Sequence, residues 1–197
     1  MFTGIVEETG EVAAFERTDE GRKLAVAGSV ATVDLSVGDS LAVNGCCLTV
    51  SSLEDAKAWF DLLEETIACT SFGSLQAGDR VNLERSLAAN GRMGGHFLSG
   101  HVDEAAKVTV FERRGENYFL EVEASPESAK YLAPKGSIAI DGVSLTVCEV
   151  EGSRFSVWLI PHTLEVTTLG QHKPGDLVNL EFDLLAKYVE SILAARS

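Results

Sequence analysis

Two short stretches of this chain set chemically active side chains in one frame. Asn44-Gly45-Cys46-Cys47-Leu48-Thr49-Val50 returns 97 residues later as Asp141-Gly142-Val143-Ser144-Leu145-Thr146-Val147. The second copy keeps the glycine and the Leu-Thr-Val run, and replaces the thiol of Cys47 by the hydroxyl of Ser144. Either group can hydrogen-bond a bound molecule, or add to an electrophilic carbon once a base takes its proton. Other active side chains are also confined to one copy. His101 stands where the first copy has Ile5, Lys135 where it has Gly38, and Pro161-His162 where it has Glu64-Glu65. Duplicated halves share what holds the fold, so residues unique to one half are the better candidates for chemistry. Gly4 and Gly100, Thr49 and Thr146, and Thr66 and Thr163 are the same in both, as expected if each half binds the same kind of ligand. Plainer roles compete with these. A strand cysteine is ordinarily a small buried hydrophobe, a threonine suits a strand whatever it binds, and a lysine beside a turn is ordinarily a solvated charge.

The elements that position these residues follow from the repeat, which extends beyond the two stretches. Residues 41–50 match 138–147 with five identities in ten, and GDRVNLE at 78–84 matches GDLVNLE at 175–181 with six in seven. FTGIVE at 2–7 matches LSGHVD at 98–103, and Phe15-Glu16-Arg17 matches Phe111-Glu112-Arg113. A period of about 97 residues is too long for a solenoid unit and fits a small domain. The Gly-rich run SLAANGRMGGH at 86–96 reads as the linker, with the boundary near residue 90. The chain thus divides into units 1–96 and 97–183 and a tail, 184–197. Asn44-Gly45 and Asp141-Gly142 between apolar runs predict hairpins, because these residues tolerate positive φ. AWFDLLEETI and RFSVWLIPHTL read as the next strands, and four to six short strands per unit predict a small closed barrel. Ser125-Pro126 predicts a short helix inside the second unit. In the tail Leu184, Leu185, Tyr188, Val189, Ile192 and Leu193 form one stripe of a helix about 21 Å long. That length is marginal alone, so the stripe must be buried, and self-association is the favoured way.

Composition narrows the function classes. With 45% hydrophobic and 23% charged residues the chain is ordinary globular material. A net charge of -14 with 16 scattered Lys and Arg argues against nucleic-acid binding, which needs clustered cations. No run approaches the ~20 apolar residues of a membrane span, and no basic-then-apolar leader is present, so a cytoplasmic protein is expected. Cys46, Cys47, Cys69 and Cys148 lack metal or disulfide spacing and are expected to be free thiols, with Cys46 and Cys47 on opposite faces of a strand. His96 and His101, five apart, share neither a helix face nor a strand face, so no metal site is expected.

The start MFTGIVEETG, the pair NGCCLTV and DGVSLTV, the linker GRMGGHFLSGHVD and the run LIPHTLEVTTLG together resemble the riboflavin synthase, or lumazine-binding-repeat, family. The likeness covers essentially the whole chain. It implies an all-β fold of two tandem six-stranded Greek-key β-barrels followed by a C-terminal α-helix, with three chains joined through those helices into a homotrimer. The implied activity is a transferase reaction, the last step of riboflavin biosynthesis. Two molecules of 6,7-dimethyl-8-ribityllumazine dismutate by transfer of a four-carbon unit, giving riboflavin and 5-amino-6-(D-ribitylamino)uracil, with no metal and no cofactor. The resemblance also admits lumazine synthase as a partner.

Carried over by position, the resemblance gives the N-terminal pocket Gly4, Ile5 and Val6, then Cys47, Leu48 and Thr49. The strand that follows would add Asp61, Leu62, Leu63, Glu64, Glu65 and Thr66. The C-terminal pocket would hold Gly100, His101 and Val102, then Ser144, Leu145 and Thr146, with Lys135 beside them. Its last segment would be Trp158, Leu159, Ile160, Pro161, His162 and Thr163. His101 is the expected proton-transfer group, since an imidazole titrates near neutrality. Cys47, Ser144 and Thr146 are expected to contact the rings or help add and remove a nucleophile. The site would lie between the N-terminal barrel of one chain and the C-terminal barrel of its neighbour. The rival is a lumazine- or flavin-binding fluorescent antenna protein, which needs one good pocket. The flavin barrel of reductases would need an adjoining nucleotide-binding domain, for which the chain has no room.

Overall fold

The computed structural model describes residues 1–18 and 21–195. Twelve strands form two closed antiparallel barrels of six strands each. The first comprises β1 (Glu8–Thr18), β2 (Gly21–Ala27), β3 (Ser40–Val43), β4 (Cys46–Glu54), β5 (Lys57–Leu62) and β6 (Arg80–Arg85). Its order around the barrel is β1-β2-β5-β4-β3-β6. The second repeats it with β7 (Glu104–Arg114), β8 (Asn117–Glu123), β9 (Ser137–Ile140), β10 (Val143–Glu151), β11 (Arg154–Leu159) and β12 (Leu177–Phe182). β1 and β7 carry register shifts at equivalent points, Val12/Ala14 and Val108/Val110, as do β4 and β10. Such bulges add the twist that a six-stranded sheet needs to close on itself.

Alternation along the strands decides which side chains fill the barrels. In β5, Ala58, Phe60 and Leu62 point inward; in β11, Phe155, Val157 and Leu159 do. One end of each barrel is plugged by a short 3-10 turn, Ser71–Ser74 or Thr168–Gln171, whose Phe72 or Leu169 is fully buried.

The hairpin turns behave as expected. Asn44 and Gly45 have φ of 42° and 79°, and Asp141 and Gly142 have 46° and 78°. The two tips also touch each other, back to back: a Cβ on Gly45 would lie 2.6 Å from the Gly142 nitrogen. The glycines therefore serve both turn geometry and the seam between barrels. Two asparagines complete that seam. Asn82 donates to the Asp141 carbonyl and accepts from the Thr168 amide, while Asn179 donates to the Asn44 carbonyl and accepts from the Ser71 amide, all at 2.7–2.9 Å.

Three expected elements differ. The strands expected to run on through Glu64-Glu65 and Pro161-His162 end at Leu62 and Leu159. Short helices follow, α1 (Glu64–Cys69) and α2 (Pro161–Val166). Thr66 and Thr163 sit in them, and their carbonyls accept from the hydroxyls of Thr70 and Thr167 at 2.6 Å. The Ser125-Pro126 segment makes only a turn leading to a 3-10 turn at Ala129–Tyr131. The tail is helical as α3 (Leu184–Ala194), capped by Asp183, whose carboxylate accepts from the Leu185 amide; residues 196 and 197 of the expected helix lie outside the described residues. Its polar side is tied to the second barrel through Lys187–Asp103 and Lys130–Glu190, whereas Leu185, Tyr188, Val189 and Ile192 are each more than half exposed.

Candidate active site

The segments at the start of each repeat, residues 2–6 and 98–102, are arms that cross between the barrels. Phe2 and Leu98 pair in a single antiparallel bridge. Buried glutamates on the last strands pin the arms. Glu84 accepts from the amides of Thr3 and Gly4, and Glu181 from those of Ser99 and Gly100, at 2.7–3.0 Å. Burial pushes the Glu84 carboxyl above the usual carboxylate range, against the pull of these donors.

From there each arm reaches the other barrel. Ser144 donates its amide to the Gly4 carbonyl at 2.8 Å, and Cys47 donates to Gly100 at 2.7 Å. A Cβ on Gly4 would lie 2.6 Å from that of Ser144, and one on Gly100 would lie 2.5 Å from that of Cys47. With φ of 77° and 78°, only glycine fits these crossings. Val6 packs on the C-terminal core and Val102 on the N-terminal core.

The expected grouping of the arms is thereby corrected. Gly100, His101 and Val102 line a cavity of about 240 Å³ with Cys46, Cys47, Glu65, Thr66, Cys69 and Thr70 of the N-terminal barrel. Gly4 and Val6 belong with Ser144 and the C-terminal barrel, and Ile5 borders a separate cavity with Glu7 and Arg85. Alignment along the chain cannot show this exchange, because both arms sit at the same repeat position whichever barrel they touch.

The second pocket, about 390 Å³, lies on the outer face of the β10–β11 hairpin. Lys135, Ser144, Leu145, Thr146, Cys148, Trp158, Ile160 and Thr163 line it. One chain thus holds His101 and Cys47 in one pocket and Ser144 and Thr146 in the other. Several of the expected residues lie outside these two linings. Leu48, Leu62 and Leu159 turn into the barrel cores. Asp61 and Leu63 border a neighbouring groove with Lys23, while Glu64, Pro161 and His162 are exposed outside both linings. Thr49 is exposed two residues along β4 from Cys47, on the same outer face.

All four cysteines are free. Cys46 points into the core, where burial pushes its thiol up to about 12, so it stays protonated. Cys47, on the outer face, is a thiol a ligand can meet, as are Cys69 in the same cavity and Cys148 in the second pocket. Ser144 has a partner that residue spacing does not reveal: His96, with Nδ1 2.7 Å from the Ser144 hydroxyl. Burial holds His96 below the ordinary histidine range, opposed by the Asp183 charge, so a neutral ring nitrogen can accept the serine proton. Its Nε2 is buried without a hydrogen-bond partner among the described residues. His96 stands two residues before Leu98, which matches Phe2 of the first repeat. Lys135 stands at φ 69°, a left-handed conformation that glycine takes at Gly38 in the first repeat.

These features define a protein of two duplicated barrels, each with a pocket on its outer face at the repeat-equivalent Cys47 and Ser144. The lumazine binding domain family model matches residues 3–86 and 99–183, one repeat on each barrel. The chain is 44% identical over 193 residues to riboflavin synthase of Bacillus amyloliquefaciens, covering 98% of this chain and 90% of that one. It is 44% identical over 200 residues to riboflavin synthase of Chlamydia pneumoniae, covering 99% and 98%. Among solved structures, LumP complexed with riboflavin superposes with a TM-score of 0.85 at 25% identity, covering 92% of this chain and 99% of that one. The chain belongs to the riboflavin synthase family, with the lumazine binding domain present twice.

Proposed function

We propose that this chain is a riboflavin synthase, converting two molecules of 6,7-dimethyl-8-ribityllumazine into riboflavin and 5-amino-6-(D-ribitylamino)uracil. The observation that carries this reading is the pair of outward pockets that share the repeat-equivalent positions Cys47 and Ser144, and Thr66 and Thr163, yet hold unlike active groups, His101 and Cys47 against Ser144, Thr146 and Lys135. Identical substrates call for like walls. Their opposite roles, as donor and acceptor of the four-carbon unit, call for unlike groups. The reaction balances without oxidant, reductant or metal: one lumazine loses a proton from its C7 methyl, the other gains a nucleophile at C7, and the four carbons pass between rings. Holding the two rings face to face can contribute roughly 7 to 11 kcal/mol in the best cases.

In this reading His101 moves the proton of the C7 methyl, Cys47 lies against the ring in the N-terminal pocket, and Ser144, deprotonated toward His96, or Thr146 acts at C7 in the other. Residues 1–96 and 97–183 serve as the two lumazine-binding units. The exposed apolar side of α3, turned away from its own barrel, supports residues 184–197 as a trimerisation helix. In the trimer the N-terminal pocket of one chain faces the C-terminal pocket of the next. Free thiols throughout accord with the cytoplasm, and lumazine synthase, as the supplier of substrate, is a natural partner.

The test is direct. Incubating the pure protein with the lumazine alone should yield riboflavin and the pyrimidine in equal amounts. The likeness to LumP supports a second reading, a fluorescent binding protein; tight binding with no turnover would establish that one and exclude the synthase.

A further inference from the structure

At one point of the repeat the two barrels present opposite surfaces. In the N-terminal barrel Lys23 of β2 stands across from Asp61 of β5, with charged groups 3.8 Å apart and both side chains over half exposed. The matching pair in the C-terminal barrel is Phe119 of β8 and Trp158 of β11. Their rings meet edge to face, with centroids 5.5 Å apart and planes at 73°. The Arg114 guanidinium lies 3.7 Å from the Phe119 centroid and 5.9 Å from that of Trp158. Both members of the cross-strand pair differ together, so the surface differs as a unit.

Phe119 is buried in this arrangement, but Trp158 remains 42% exposed. An indole braced on one side and open on the other is a rigid, flat platform that loses little freedom when a ring stacks on it. The open side borders the C-terminal pocket with Lys135, Ser144, Thr146 and Cys148. Asp61, by contrast, lies in a groove apart from Cys47 and Thr66.

We propose that Trp158 is a specificity-determining residue that gives the C-terminal pocket alone an aromatic platform for a fused heteroaromatic ring, and makes it the pocket that holds the three-ring isoalloxazine of the product more tightly. This rests on the synthase reading and adds to it which pocket retains flavin. Aromatic stacking of this kind accounts for a roughly two- to tenfold difference in affinity.

The chain has two tryptophans, so Trp59→Phe leaves Trp158 as the sole indole reporter. Titrating that full-length variant with riboflavin should quench the Trp158 emission saturably. Trp158→Ala should weaken riboflavin binding, and inhibition of turnover by added riboflavin, by roughly two- to tenfold, and Trp158→Phe should restore much of both. Trp158 emission unchanged at saturating riboflavin would overturn the proposal, as would unaltered riboflavin affinity in Trp158→Ala. Failure of the synthase reading would show separately, as no turnover by the unaltered protein, while the binding titration still decides the role of Trp158.

Discussion

Inside the two barrels Val12 and Val108, Leu24 and Leu120, Val26 and Val122, and Leu83 and Leu180 fill equivalent positions, and all are fully buried. On the outer faces and at the seam several positions differ in chemistry, as Cys47 against Ser144, Ile5 against His101, Gly38 against Lys135, Asn44 against Asp141 and Leu75 against His172. The inward positions answer to one demand, filling a closed sheet at native density, and that demand is the same in both barrels. The outward positions answer to what each barrel meets outside itself. Divergence on the outer faces therefore marks where the halves took different roles, and each difference can be reversed to see what depends on it.

The largest effect should come from the pockets. His101→Ala and Ser144→Ala are each expected to lower turnover by about two to four orders of magnitude, the range for loss of a proton-transfer group. If the N-terminal pocket of one chain works with the C-terminal pocket of another, unfolding and reassembling the two variants together should restore turnover well above either alone. Some mixed assemblies would then pair an intact His101 pocket with an intact Ser144 pocket. No gain on mixing would mean that each chain completes its own site.

Much of this architecture is legible in the residue order. The Asn-Gly and Asp-Gly tips and the Leu-Thr-Val runs mark the hairpins, because a type I′ turn and an alternating strand leave local signatures. The tail stripe marks a helix for the same reason. The exchange of arms is not legible, since it depends on Glu84, Glu181 and two glycine crossings that meet only in the fold. Nor are α1 and α2, which at six residues each are too short to show helical periodicity. His96 escapes notice because its nearness to His101 along the chain raises only the question of a metal, whereas its partner is Ser144, 48 residues away.

The seam offers the next largest effect. Asp141 accepts from the Asn179 amide with one carboxylate oxygen, as Asn44 does from Asn82, and its other oxygen lies 2.7 Å from His172 Nε2. Burial opposes protonation of His172, but the Asp141 hydrogen bond and the charges of Asp141 and Asp176 outweigh it and hold the imidazole above its ordinary range. His172→Leu leaves a buried carboxylate uncompensated and should cost about 3 to 5 kcal/mol in urea unfolding. Asp141→Asn together with His172→Leu copies the Asn44 and Leu75 arrangement and should recover most of it. Because the folded-state pKa is raised, the stabilisation from this pair is fully present below the unfolded histidine value, about 6.5, and is lost as pH rises through the folded one. The gap between the native chain and the double variant should therefore change with pH above that point, and a pH-independent gap would show that the pair is neutral.

Lys135 is expected to give the smallest effect on stability and the clearest separation of fold from function. Its backbone is left-handed and its amide donates to the Val147 carbonyl at 2.8 Å, as the Gly38 amide does to Val50 at 2.9 Å. A side chain in that conformation costs about 1 to 2 kcal/mol, which Lys135→Gly would relieve. Glycine frees the unfolded chain by a comparable amount, so the net change in unfolding free energy should stay within about 1 kcal/mol. The ammonium at the rim of the C-terminal pocket is lost at the same time, and KM for the lumazine should rise while the melting curve hardly moves. A glycine variant with unchanged KM would make the lysine a solvated charge, and the strained backbone beneath it a feature with no bearing on the ligand.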